Sequence, residues 1–135
     1  MNGTKRILIA EDDSGIRRMT QLRLEHEGYA VLVACDGEDA LRQVEAGPRV
    51  HCILVDVKMP KMNGYQVCQE LKRRPGTAKI PVIVFTASEN QMKLLAERCI
   101  EIGAYDWLRK PFRTKDLLEK IERALAASEE EPRHG

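Results

Sequence analysis

The chain carries almost no net charge: 22 Lys and Arg stand against 21 Asp and Glu, a balance of +1 over 135 residues. No overall field draws it to nucleic acid or to a membrane surface, so any anion site must be local. It also lacks close cysteine pairs. Cys35, Cys52, Cys68 and Cys99 are widely spaced, without the CxxC arrangement of zinc or redox sites, and free thiols in a reducing cytosol are expected. Long apolar runs are missing too. Met1-Asn2-Gly3-Thr4-Lys5-Arg6 leads into only a handful of apolar residues before Glu11, too short for a signal-peptide core or a membrane span. A soluble, cytoplasmic protein is expected. No internal repeat or low-complexity tract is present, and the length suits one domain with a core of its own.

What is present is a set of short apolar runs alternating with helical patterns. Ile7–Ala10, Val31–Ala34, Ile53–Asp56, Pro81–Thr86 and Tyr105–Leu108 read as strands, with Pro81 tolerable because it opens its strand. Between them, helices are expected from Ser14 as cap to about Glu27, from Gly37 to Gly47-Pro48, from Gly64 to Arg74 before Pro75-Gly76, and from Ser88 as cap to Gly103. The first carries Ile16, Met19, Leu22 and Leu24, a set broader than an ideal stripe; the fourth places Met92, Leu95, Ala96 and Cys99 at i, i+3, i+4 and i+7. A last helix has Thr114 as cap and Leu117, Leu118, Ile121 and Leu125 inward. Strand–helix alternation of this kind demands right-handed crossovers and a parallel sheet covered on both faces, a doubly wound α/β fold. The domain is expected over residues 1–127, with 128–135 a polar, disordered tail.

Residues 53–64, Ile-Leu-Val-Asp-Val-Lys-Met-Pro-Lys-Met-Asn-Gly, form the centre of the pattern. An apolar run stops at Asp56, which puts that side chain at the carboxyl edge of the sheet, where open α/β sheets bind ligands. Taken alone, Asp56 is equally well a turn cap, since Asp before a loop is ordinary turn chemistry. Other strand ends share its edge: Glu11 and Asp12 after the first, Thr86 after the fourth and Lys110 after the fifth. Three converging carboxylates repel one another unless a cation joins them. Oxygen ligands with no His or Cys suit a hard ion, and Mg²⁺ is the default. Lys110 adds a point charge and Thr86 a hydroxyl, which with the metal suit the equatorial oxygens of a phosphoryl group, and Asp56 can serve as nucleophile.

With these residues on one edge, the chain resembles the receiver domains of two-component response regulators. The matching stretches are Ile-Leu-Ile-Ala-Glu-Asp-Asp at 7–13, Val-Asp-Val-Lys-Met-Pro-Lys-Met-Asn-Gly at 55–64, Phe-Thr-Ala at 85–87 and Arg-Lys-Pro-Phe at 109–112. The resemblance covers residues 5–127. It implies a flavodoxin/CheY-like sheet of five parallel strands in the order 2-1-3-4-5 with five helices. It further implies Asp56 as phosphoacceptor, Mg²⁺ bound by Asp12, Asp56 and the backbone carbonyl of Lys58 with Glu11 acting through water, Thr86 as switch hydroxyl and Lys110 as the lysine that pairs with the phosphoryl group. A cis Lys110–Pro111 bond is expected on the same ground.

Two positions depart from the commonest pattern of that family. Trp107 stands where a Tyr or Phe usually turns inward on activation, and a larger ring with an N–H donor costs more to bury. Lys58 adds a cation at a position that tunes loss of the phosphoryl group. The expected function is a phosphorelay switch: a sensor histidine kinase or histidine phosphotransfer protein phosphorylates Asp56, and the face of helix 4, strand 5 and helix 5 changes its affinity for a downstream protein. The chain is expected to promote only its own phosphorylation and dephosphorylation and not to be a turnover enzyme, to bind no nucleic acid or membrane directly, and to be a monomer or a phosphorylation-dependent dimer. The alternative is a degenerate receiver used for phosphorylation-independent docking, against which intact Asp12, Asp56, Thr86 and Lys110 argue. An FMN carrier would want a phosphate cradle where Glu11-Asp12-Asp13 stands, and a haloacid-dehalogenase-type phosphatase would want an acid at Lys58. No output region follows Leu125, so the chain reads as a stand-alone regulator or as a receiver excised from a larger protein.

Overall fold

A computed structural model of the chain describes residues 3–87 and 90–130, the side chains of 129 and 130 excepted. Strands and helices alternate without exception: β1 (Arg6–Ala10), α1 (Ser14–His26), β2 (Ala30–Ala34), α2 (Gly37–Ala46), β3 (Cys52–Asp56), α3 (Gly64–Arg73), β4 (Val82–Thr86), α4 (Asn90–Glu101), β5 (Asp106–Arg109) and α5 (Thr114–Glu130). The sheet is parallel throughout and ordered β2-β1-β3-β4-β5, as expected.

Alternation along the central strands sorts the core into two layers. Leu8, Ile53, Val55, Val82 and Val84 pack against Ala40 and Leu41 of α2, Val67, Cys68 and Leu71 of α3, and Ala96 and Cys99 of α4. Ile7, Ile9, Cys52, Leu54, Ile83 and Phe85 pack against Leu24 of α1 and Leu117, Ile121 and Ala124 of α5. The chain therefore leaves β1 toward one face and β3 toward the other. Their adjacent carboxyl ends flank the crevice at the topological switch point.

Several local expectations change. The N-cap of α1 is Asp13, not Ser14: an Asp13 carboxylate oxygen accepts from the Ile16 N–H at 2.9 Å, and Ser14 is the first helical residue. Thr114 is likewise the first helical residue of α5, whose Leu117 N–H donates to the Arg113 carbonyl, so it does not act as its cap. In α1, Met19 and Leu22 are half exposed, at 52% and 51%, while Thr20 and Leu24 turn inward. The buried Thr20 hydroxyl is satisfied by the Ile16 carbonyl at 2.7 Å, which lets a polar residue occupy a core-facing position. Helix α5 continues to Glu130, past residue 127. Ala124, Ala126, Ala127 and the following glutamates are favourable helix formers, and no Gly or Pro intervenes before Pro132. Residues 131–135 of the expected tail and the Ser88 cap lie outside the described residues.

All four thiols are free, Cys35 exposed and Cys52, Cys68 and Cys99 buried. Among the described residues no helix is long and apolar enough to cross a membrane.

Candidate functional site

The end of β1 and the end of β3 lie side by side, with Ala10 paired to Val55 as the last register pair. One residue further, Glu11 and Asp56 project from neighbouring strand ends. Both are buried, Glu11 at 0% exposure and Asp56 at 6%, whereas Asp12 is open to solvent. A carboxylate oxygen from each of Glu11, Asp12 and Asp56 lies within 4.8 Å of the others. Lys110 reaches this group from the end of β5. Its Nζ is 2.8 Å from Asp56 Oδ2 and 2.6 Å from Glu11 Oε1. Its backbone N–H is held by the Thr86 carbonyl at 2.8 Å, and the Lys110–Pro111 bond is cis, as expected.

Charge is balanced unevenly here. Burial first, and then the hydrogen bond and charge of Asp56, push the Glu11 carboxyl up to about 7, although Lys110 opposes the shift. For Lys110, burial works against the charged form, but Asp56 and Glu11 outweigh it and the net shift is upward. Burial thus works against the charged form of Glu11, and Lys110 is the group that favours it. Its Oε1 sits close to the ammonium but receives no directed hydrogen bond, and Oε2 accepts a long one, 3.2 Å, from the Asp13 N–H. Three carboxylates offering oxygen ligands only, one of them exposed, gathered within 4.8 Å fit a hard divalent cation.

The loop after β3 is shaped to keep Asp56 in place. The Lys58 N–H donates to Asp56 Oδ1 at 3.3 Å, while the Lys58 side chain is exposed. The loop then folds back: Gly64 N–H donates to the Val57 carbonyl at 2.8 Å, and a Cβ at Gly64 would lie 2.6 Å from the Asp56 carbonyl oxygen and 2.9 Å from Val57 Cα. Only glycine allows that approach. Asn63 caps α3 with a reciprocal capping box to Gln66, at 2.8 and 2.9 Å, which fixes where the loop ends. Lys61, at φ 67°, turns the loop toward α2, where its ammonium faces Asp36 and Glu38.

Of the residues expected from the sequence, Glu11, Asp12, Asp56 and Lys110 converge directly, and Lys58 joins them through its backbone. Thr86 is fully buried at the end of β4, one residue past Phe85, the register partner of Asp56. Its hydroxyl donates to the Ala87 carbonyl at 3.1 Å rather than to the carboxylates. Trp107 packs half-buried against the α2–α4 layer. Sequence reasoning missed Arg17, whose guanidinium donates to the Glu11 carbonyl at 2.7 Å. The available signal was a cation in the first turns of a helix that starts right after an acidic pair.

Such a crevice, with an acidic cluster and a lysine at the switch point of a 2-1-3-4-5 sheet, defines an α/β domain of the CheY-like type. Residues 7–122 match the response regulator receiver domain, and the chain belongs to that family, a component of two-component signal transduction. It is 40% identical over 129 residues, covering 93% of this chain and 50% of the relative, to a probable transcriptional regulator ycf27 of Cyanophora paradoxa. The chain spans about half the length of the curated relatives it matches. Among solved structures, the chemotaxis response regulator CheY4 of Vibrio cholerae superposes with a TM-score of 0.80 at 29% identity, covering 91% of this chain and 100% of that one. The receiver domain of a sensor histidine kinase from Pseudomonas aeruginosa PAO1, solved with a magnesium ion in its active-site cleft, gives a TM-score of 0.83 at 29% identity, covering 92% and 99%.

Proposed function

We propose that Asp56 is a phosphoacceptor and that its phosphorylation switches the affinity of this domain for a protein partner. The observation that carries the reading is the Lys110 ammonium bridging two buried carboxylates, Asp56 and Glu11, beside an exposed third, Asp12. A turn-capping aspartate has no use for such a lysine. Attack by an Asp56 oxygen in line with the bond to the donor's phosphohistidine nitrogen forms a P–O bond and breaks the P–N bond; with a proton on the ring's other nitrogen, a neutral imidazole is left on the donor. Lys110 already sits at hydrogen-bond distance from Asp56, so it can pair with a phosphoryl oxygen there without a large movement.

Glu11, Asp12, Asp56 and the backbone carbonyl of Lys58 would hold Mg²⁺, Glu11 through water. When bound, the ion supplies positive charge that offsets the converging carboxylates and the phosphoryl oxygens. Thr86, one residue beyond the register partner of Asp56, would turn its hydroxyl from the Ala87 carbonyl toward the new phosphoryl group. That change would pass to the face of α4, β5 and α5, which includes Trp107, as a population shift with a downstream protein as reader. The donor is a sensor histidine kinase or a histidine phosphotransfer protein. The domain itself turns over no outside substrate, acts in the cytoplasm, and is a monomer or a dimer formed on phosphorylation.

Incubation of the protein with Mg²⁺ and acetyl phosphate should add one phosphoryl group by intact mass, and none after EDTA. The D56N protein should gain none. Equal labelling of D56N and wild type refutes the assignment and leaves phosphorylation-independent docking as the reading of the fold.

A further inference from the structure

We infer that Arg17 is a positioning residue for the acidic pair, holding Glu11 and Asp12 in the arrangement that takes up a divalent cation. The inference rests on the metal-binding role of Glu11, Asp12 and Asp56 proposed above. Register between β1 and β3 ends at Ala10 and Val55, so the Glu11 carbonyl lies beyond the ladder, in a residue with no solvent exposure. Its donor is Arg17 Nη1 at 2.7 Å, and the same nitrogen lies 3.5 Å from the Asp12 carbonyl. On the other side, the Glu11 N–H donates to the Ala34 carbonyl at 3.1 Å. The peptide plane that leads from Glu11 into Asp12 is therefore fixed at its carbonyl by a cation from α1.

Arg17 is itself anchored by the helix that follows the loop. Its backbone N–H donates to the Asp13 carbonyl at 2.9 Å, and the Asp13 carboxylate caps the same turn through the Ile16 N–H. A short closed path thus runs Glu11, Asp12, Asp13, Arg17 and back to Glu11. The guanidinium keeps its charge at every accessible pH and offers its donors in a rigid, planar fork, so less side-chain freedom is lost in holding the Glu11 carbonyl than with a flexible ammonium. Groups that orient metal ligands from behind typically change metal affinity by about 10- to 100-fold when removed. Arg18, the next residue, is exposed and provides a control of equal charge.

The test is calorimetric titration of the full chain with MgCl₂, repeated with Mn²⁺ by water-proton relaxation, on wild type, R17A, R17K and R18A, with a thermal melt of each. R17A is expected to bind Mg²⁺ about 10-fold more weakly, with R17K recovering part of the loss and R18A within about twofold of wild type. The rate of phosphorylation by acetyl phosphate should fall in R17A at subsaturating Mg²⁺ and approach wild type at saturation. A folded R17A that binds Mg²⁺ within about twofold of wild type overturns the inference and leaves the acidic cluster's role intact. Wild-type protein that binds neither ion overturns the metal reading itself. If R17A does not melt cooperatively, R17Q, which keeps an N–H donor without the charge, takes its place under the same criterion.

Discussion

Replacing Gly64 by alanine tests the contact that ties the loop to the site. A Cβ there would sit 2.6 Å from the Asp56 carbonyl oxygen, 3.1 Å from its carbonyl carbon and 2.9 Å from Val57 Cα. All three neighbours are backbone atoms, so no side-chain rotation relieves the overlap. Either the first turn of α3 or the end of β3 must move. Overpacking a closed site costs about 1–3 kcal/mol, and backbone neighbours place G64A near the upper end, about 3 kcal/mol. For a domain of this size each kcal/mol corresponds to roughly 3–5 °C, so the melt should fall by roughly 10 °C. Typical stabilities of about 5–15 kcal/mol leave the variant folded at 25 °C, where its chemistry can be measured. Because two of the three overlapped atoms belong to Asp56 itself, phosphorylation by acetyl phosphate should also slow. The control is Gly76→Ala: nothing lies within 4 Å of its added Cβ, and it should be neutral or up to about 1 kcal/mol more stable. A G64A protein melting within about 1 °C of wild type would show that the loop yields freely and that the close approach does not constrain the site. A destabilised G64A with unaltered phosphorylation would separate loop packing from Asp56 chemistry and refute the coupling.

Two other perturbations probe the frame. Thr77 is buried, and its hydroxyl donates to the Leu71 carbonyl at 2.6 Å, closing the end of α3. Thr77→Val keeps the shape and leaves that carbonyl only the longer bond from the Arg74 N–H at 3.4 Å, which should cost about 1 kcal/mol and lower the urea midpoint with the slope unchanged; an unchanged midpoint would count against the bond. His51 accepts the Arg6 N–H on Nδ1 at 3.0 Å at the amino edge of the sheet, and burial, with the charges of Arg49, Lys5 and Arg6, holds it below the ordinary histidine value. The unfolded chain, titrating near pH 6.5, therefore binds the proton more readily, and the stability His51 contributes is present above about pH 6.5 and lost as pH falls through the lowered value. Urea unfolding at pH 7.5 and 5.5 should show wild type losing more stability than His51→Asn over that interval, and equal losses would refute this linkage.

How much of this was legible in the sequence depended on whether a feature is set by local pattern or by distant packing. The strands announced themselves because each buried run ends in a turn signal, and a parallel sheet then carries every strand end to one edge. That geometry alone brought Glu11, Asp12, Asp56 and Lys110 together. Where two neighbouring residues can do the same job, pattern gave no decision. Asp13 and Ser14 are both good caps, and only the extended backbone at Asp13 settles which carboxylate or hydroxyl meets the free N–H groups. Periodicity likewise failed in α1, since Thr20 can face the core once its hydroxyl bonds back to Ile16, freeing Met19 and Leu22 to face solvent.

Gly64 and Arg17 show the sharper limit. As a turn signal, Gly64 was easy to see; that it touches the backbone of the residue it follows by eight positions was not, because the contact depends on the whole loop folding back. Arg17 looked like one of several helix-surface cations. Its significance comes from the end of the β1–β3 register, which leaves a buried carbonyl without a ladder partner just where the helix passes. In both cases the chemistry-bearing side chains are the visible part, and the groups that hold them act through main-chain atoms, which carry no residue-specific signature. The Glu11 and Asp56 carbonyls are the atoms at which Arg17 and Gly64 meet the site.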